Sequence, residues 1–223
     1  MQAMILAAGR GTRMGPLTES LPKPLLDLNG CSLIGRQLRR LAAAGICDVV
    51  INLSYRGDLI RDAVGDGSRF GVRAQYAEEG PEPLETAGGI INALPLLGDA
   101  PFLVINADVV SDFDFGGLAL AGTLGALVLV PNPPHSPRGD YALDAESLLT
   151  HGEPKFTFSG ISLLSPSLFS GLAPGRRPLS EVFDTAIGER RLTGRLHTGL
   201  WFDVGTADRL AAAAAAVARQ EAV

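Results

Sequence analysis

Ala3-Met4-Ile5-Leu6-Ala7-Ala8-Gly9-Arg10-Gly11-Thr12-Arg13-Met14 opens the chain with a short apolar run that stops at a glycine. A run of this length, almost wholly apolar and ended by glycine, reads as a central parallel strand covered on both faces. Gly9-x-Gly11 directly after it lets successive backbone N–H groups approach phosphate oxygens as an anion-binding nest. The spacing lacks the third glycine of a dinucleotide fingerprint and the Gly-Lys-Ser/Thr of a P-loop. Taken alone, the two glycines are accounted for by a tight turn.

They are not alone. Thr12 and Arg13 follow at once, and Pro22-Lys23-Pro24 comes ten residues later. Arg13 offers a planar fork for two phosphate oxygens and Lys23 a compact point charge. Pro22 fixes its own φ and Pro24 biases Lys23 away from helical geometry, so the lysine is expected to project from a stiffened, extended segment.

Beyond this loop the theme repeats. Ser32 is placed to cap a helix reaching about Ala44, where Gly45 supplies a stop, and residues 49–53 read as a second buried strand. The pattern then predicts a helix over 56–64, a strand over 72–76, a helix over 86–94 opened by a Thr86 cap, and a buried strand over 102–106. Alternation of this kind predicts a mostly parallel sheet. A strand over 124–130 precedes a Pro- and Gly-rich loop at 131–139. Residues 156–164 alternate as an antiparallel addition, and the chain closes with a strand over 201–204 and a helix from Thr206.

No interior stretch has the length or polarity of a linker, so residues 1–223 are read as one domain. The irregular later part is expected to lie over the sheet as a lid. Loops 9–24, 78–89 and 107–114 leave the carboxyl ends of strands and should share one crevice, because open α/β sheets bind ligands there.

A formal net charge of -5 without any Lys/Arg-rich run excludes a footprint for a nucleic acid polymer. Cys31 and Cys47 match no metal or redox spacing, and His135, His151 and His197 read as surface or loop residues. No apolar run reaches the ~20 residues of a membrane span, and the alanine run at 211–216 fits a terminal helix. These features predict a cytoplasmic protein without a membrane partner.

Leu-x-x-Gly-x-Gly-Thr-Arg-Met-x-Pro-Leu-Thr over 6–18, followed by Pro22-Lys23-Pro24, resembles the signature of the sugar-phosphate nucleotidyltransferases. Pro83-Leu84-Glu85-Thr86-Ala87-Gly88-Gly89-Ile90, Asn106-Ala107-Asp108, Phe158-Ser159-Gly160-Ile161 and Trp201-Phe202-Asp203-Val204-Gly205-Thr206 follow in the family's order, so the resemblance covers nearly the whole chain. The short chain and the segment 132–141 are most similar to the uridylyltransferase branch that uses N-acetylmuramic acid 1-phosphate in cell-wall recycling. Leu84 to Gly88 also resembles the Leu-Gly-Thr-Ala-Gly of mannose-1-phosphate guanylyltransferases, except at Glu85. Differences from the family include Gly15 where relatives often carry arginine, and Ala87 and Ala107 where they carry glycine.

The resemblance implies a Rossmann-like three-layer α/β/α nucleotidyltransferase fold with a mixed, mostly parallel sheet. The nucleotide would occupy about 1–130 and the sugar about 131–223. It implies transfer of a nucleotidyl group from UTP to a sugar 1-phosphate, with Mg²⁺ as cofactor on Asp108 and Asp203. Arg13 and Lys23 would hold the phosphates, beside nucleotide contacts from Leu6, Ala8, Gly9, Gly11, Thr12, Gly80 and Asn106. Glu85, Gly88, Asn106, Asp140, Ser159 and Gly160 would face the sugar. The residues themselves leave blander readings open: an aspartate ending a strand serves as a turn residue, Glu85 as a first-turn acid, and Ser159-Gly160 as a strand bulge.

Overall fold

The computed structural model describes residues 1–80 and 84–221. Strand β1 (Gln2–Leu6) is the apolar run at the start of the chain, and it lies in the middle of the main sheet. It pairs in parallel with β2 (Asp48–Leu53) on one side and β4 (Phe102–Asn106) on the other, and β3 (Arg73–Glu78) extends the sheet beyond β2. The chain runs outward from β1 to β3, then returns to β4 on the opposite side. The order of strands therefore reverses at β1/β4, where a doubly wound sheet opens its crevice.

The connecting helices cover both faces. Helix α1 (Leu33–Ala43) starts where Ser32 Oγ accepts from Gly35 N at 3.2 Å and stops before Gly45, whose φ is +73°. Ile34, Leu38 and Leu41 of α1, with Ile60 and Val64 of α2 (Gly57–Val64), pack on Ala3, Ile5, Val49, Ile51, Leu103 and Ile105. On the other face Ile90, Ala93 and Leu97 of α3 (Glu85–Leu97) meet Met4, Val50 and Val104. Val182, Phe183 and Ile187 of α4 (Leu179–Gly188) complete that layer. Burial on both faces is why these strands are apolar without alternation.

The later part of the chain is not a lid. After the short β5 (Val109–Ser111), strand β6 (Gly125–Val130) enters the main sheet. Outside it β7 (Tyr141–Leu143) and β8 (Leu149–Thr150) form a small extension. Strand β9 (Lys155–Leu164) is antiparallel, as expected, but it fills the interior position between β4 and β6. Strand β10 (Leu192–Leu196) closes the edge beside β6, giving the order β10-β6-β9-β4-β1-β2-β3.

Strand β11 (Trp201–Asp203) leaves the main sheet and pairs antiparallel with β5. Helix α5 (Ala207–Glu221) then buries Ala213 and Val217 against Met14, Leu26, Leu28, Leu33, Val110 and Val204. The terminal helix thus backs the loop that follows β1. No helix among the described residues is long and apolar enough to cross a membrane.

Two local expectations are corrected. Lys23 opens a 3-10 turn, Lys23–Leu25, and the extended geometry belongs to Pro22, with ψ 143°. A single turn closed by Leu26 N on Lys23 O accommodates Pro24, whose missing N–H would be unbonded at that position anyway. Thr86 does not cap α3, which begins at Glu85. The carbonyl of Arg177 accepts from Ala87 N and Gly88 N at 3.0 and 3.2 Å instead.

Candidate functional site

Strand register sets the floor of the site. Leu6 stands opposite Asn52 on one side and Asn106 on the other, so three strand ends form a row at the carboxyl edge of the sheet. Above them opens a cleft of about 400 Å³ lined by residues from each of the three predicted loops. Gly9, Gly11, Thr12, Arg13 and Lys23 line it from the first, Glu79, Glu85 and Thr86 from the second, and Asp108 from the third, beside Leu6, Ala8 and Asn106 at or just past the ends of β1 and β4. Pro81, Glu82 and Pro83, in the stretch expected to meet the base, lie outside the described residues. Gly80 is exposed at the end of β3 with φ +71°, and it is not among the cleft-lining residues.

Gly11 has φ +65°, and a Cβ there would sit 3.0 Å from Lys23 Cβ. Its missing side chain therefore lets the lysine pass beneath the loop. Lys23 is only 8% exposed and is ion-paired with Asp108. A buried ammonium needs that partner, since taking one charge out of water alone is costly. Behind Asp108, the buried Gln37 donates through Nε2 to the carbonyls of Val109 and, at 3.4 Å, Asn106, and so braces the turn.

The β5–β11 ribbon sets the backbone of Asp203 beside that of Asp108, although Asp203 is not among the residues lining the cleft. Asp203 pairs with Val109, and Val204 N donates to Asp108 O at 2.9 Å. Arg209 Nη1 lies 2.6 Å from both oxygens of Asp203, and His135 Nε2 lies 2.9 Å from Oδ1. A Cβ on Gly205 would come 2.0 Å from Arg209 Nη2, so glycine is what lets the guanidinium cross the backbone. His135 is exposed, as expected of a loop residue. It reaches Asp203 from the 131–139 loop, a contact invisible in sequence because 68 positions separate the pair.

Both carboxylates carry oxygen donors balanced by cations, Lys23 on one and Arg209 on the other, where the His135 ring also approaches. Among the described residues no cluster of three or more His, Cys, Asp or Glu forms a ready cage. One or two carboxylates completed by substrate phosphates is the donor set suited to Mg²⁺, so the residues present fit that ion.

Asn52 and Glu79 form a buried pair that sequence reading touched only in part. Asn52 Oδ1 accepts from Ala7 N at 2.7 Å, and its Nδ2 donates to Glu79 Oε1. Burial pushes the Glu79 carboxyl above its ordinary range, against the bonds from Asn52 and Leu84 N. A Cβ on Gly89 would meet Glu79 Oε1 at 2.3 Å, so this glycine makes room for the pair.

The proposed sugar-facing residues divide. Glu85 lines the cleft with φ +57°, a left-handed backbone that costs a non-glycine residue about 1–2 kcal/mol. Its Oε1 accepts from Arg176 Nε at 2.7 Å and lies 2.5 Å from Arg176 Nη2. Asn106 lines the cleft too, and Gly160 lies against it: a Cβ on Gly160 would fall 2.6 Å from Asn106 Nδ2.

Gly88, Ser159 and Asp140, expected to face the sugar, are not among the residues lining this cleft. Gly88 faces the 175–177 segment, where a Cβ would be 2.3 Å from Gly175 O. Ser159 is buried, its Oγ accepting from Ile161 N at 3.2 Å, and it belongs to a bulge where the β6–β9 register shifts. Asp140 accepts from Phe158 N at 2.7 Å, tying the start of β7 to β9.

With this geometry in place, comparison with known proteins is informative. A family model described as nucleotidyl transferase matches residues 2–123. The N-acetylmuramate alpha-1-phosphate uridylyltransferase of Neisseria meningitidis serogroup B is 48% identical, with 94% of this chain and 95% of that protein covered. The mannose-1-phosphate guanyltransferase of Schizosaccharomyces pombe is 34% identical over 92% of this chain, which spans only 61% of that longer protein. A putative glucose-1-phosphate thymidylyltransferase from Bacillus anthracis shares the fold with a TM-score of 0.84 at 23% identity, covering 97% of this chain and 94% of that one. HddC from Yersinia pseudotuberculosis, complexed with GMP-PN, has a TM-score of 0.82 at 21% identity, with 97% and 99% covered. A three-strand carboxyl edge, a glycine loop after β1 and a matching sequence over most of the chain agree: the protein belongs to the nucleotidyl transferase family.

Proposed function

We propose that the protein transfers UMP from UTP to N-acetylmuramic acid 1-phosphate, releasing pyrophosphate and giving UDP-N-acetylmuramic acid for cytoplasmic peptidoglycan recycling. The whole of 1–223 acts as one domain, with the nucleotide held by about 1–130 and the sugar by about 131–223. The observation that carries the reading is the cleft, where the glycine loop, Arg13, Lys23 and Asp108 meet at the strand reversal point. Support for this sugar and base comes from the 48% identity to the meningococcal enzyme over nearly its full length.

An oxygen of the sugar 1-phosphate attacks the α-phosphorus of UTP in line, and the bond to the pyrophosphate oxygen breaks. The nucleophile is already anionic, so no general base is required, and positioning with charge stabilisation lowers the barrier. Arg13 and the backbone N–H groups of 9–12 hold the β- and γ-phosphates. Lys23, preorganised beneath Gly11, neutralises charge gathering at the α-phosphate. Asp108 and Asp203 would hold Mg²⁺, which would supply charge neutralisation on the phosphates when bound.

The test is a pyrophosphate-release panel pairing UTP, GTP and dTTP with four sugar 1-phosphates: N-acetylmuramic acid, N-acetylglucosamine, mannose and glucose. UTP with the muramic acid derivative is the expected pair, and Asp108→Ala should lower kcat about 10²-fold or more while remaining folded. Use of GTP with mannose 1-phosphate and none of UTP would overturn the assignment. Tight nucleotide-sugar binding without pyrophosphate release from any pair would make the protein a sensor.

A further inference from the structure

We infer that Arg176 reads the lactyl carboxylate of the sugar substrate and so separates N-acetylmuramic acid 1-phosphate from uncharged amino sugars. This rests on the substrate reading above. That substrate differs from N-acetylglucosamine 1-phosphate by one ionised carboxylate on an ether arm, and a guanidinium is the side chain best matched to it.

Several observations converge on Arg176. Its backbone neighbours are clamped to the first turn of α3: Arg177 N donates to Leu84 O at 2.9 Å, and Arg177 O takes Ala87 N and Gly88 N. Gly88 has no Cβ because the carbonyl of Gly175 occupies its place, 2.3 Å from where that atom would be. The 175–177 segment is therefore fitted onto α3 beside the cleft. Glu85, a lining residue of the cleft, holds Arg176 through Oε1 alone. That leaves donor groups of a guanidinium unused. The Arg176 side chain is 72% exposed, open to an incoming anion.

Glu85 keeps a left-handed backbone at this position, where glycine would carry no penalty. Its carboxylate gives that backbone a purpose: it aims Arg176 and cancels part of its charge. Glu85 is thus a positioning residue, whereas Arg176 makes the contact that selects the substrate. A fixed, partly neutralised cation discriminates by recognition of the ionised arm and adds nothing to the in-line attack.

Arg176→Met, Arg176→Lys and wild type are compared with N-acetylmuramic acid 1-phosphate, its carboxyl methyl ester and N-acetylglucosamine 1-phosphate, each with UTP. For Arg176→Met, kcat/KM with the acid should fall about 10- to 100-fold, mostly through KM, with the KM for UTP unchanged. The ester should lose as much with wild type and little more with Arg176→Met, and lysine should restore part of the activity on the acid. A wild-type KM for the acid in Arg176→Met overturns the inference. So does an equal loss on all three sugars together with weaker UTP binding, which would mark a structural role. Failure of wild type to use the acid at all refutes the substrate reading itself and this inference with it.

Discussion

At the scale of single residues, three charged groups at or beside the site, Lys23, Asp108 and Asp203, are already answered before any substrate arrives. Lys23 and Asp108 pair across 85 positions, and Asp203 is answered by Arg209, with the His135 ring beside it. Glu79 differs from them, a carboxyl buried to 8% exposure whose partners among the described residues are neutral, Asn52 and Leu84 N. Burial raises its pKa above the ordinary 4.5. Between the ordinary and the raised value the folded protein binds more protons than the unfolded chain, so stability falls as pH rises through that window. Glu79→Gln has no proton to lose there. The melting temperature of the variant should therefore gain on wild type as pH rises from about 4.5 towards 7, in a series of thermal melts. A difference that stays flat over that range would show that Glu79 titrates as an ordinary exposed acid.

Elements carry these residues into place, and the two least regular ones matter most. The β5–β11 ribbon joins the two carboxylate-bearing segments, and α5 packs against its base and the loop after β1. Ala213, fully buried, touches the same cluster as Met14, next to Arg13, and Leu26, just past Lys23. Ala213→Leu should cost about 1–3 kcal/mol by overpacking, measured by urea denaturation. It should also weaken nucleotide binding in calorimetry, because the displaced cluster holds Met14 and Leu26, which flank the proposed phosphate contacts Arg13 and Lys23. Unchanged nucleotide affinity in a destabilised variant would mean that α5 supports the fold without tuning the loop.

For the whole molecule, the cleft is lined by segments spread over residues 6–108, with Gly205 from the later part of the chain, so ligand binding should register as global stability. A ligand that binds only the folded state at about 100 times its Kd adds about 2.7 kcal/mol. UTP with MgCl₂ should raise the melting temperature more than UTP alone, and Asp203→Asn should abolish the increment due to the metal. An equal shift with and without Mg²⁺ in wild type would remove Asp203 from that role. Much of this was legible in the chain. The apolar run 3–8, the Ser32 cap and the alternation of strands and helices determined a parallel α/β sheet, because burial on both faces and capping are local properties of sequence. The Gly9-x-Gly11 loop with Arg13 and Lys23 pointed to a shared cleft suited to phosphate, because glycine freedom and positive charge are written in the residues themselves. Only the tertiary structure decided that β9 sits inside the sheet, that Gly88 and Ser159 serve backbone packing, and that His135, Arg209 and Arg176 reach particular carboxylates. Those outcomes depend on which distant segments come within a few ångströms. Contact between residues 68 or 91 positions apart follows from the packing of whole elements, which no local pattern encodes.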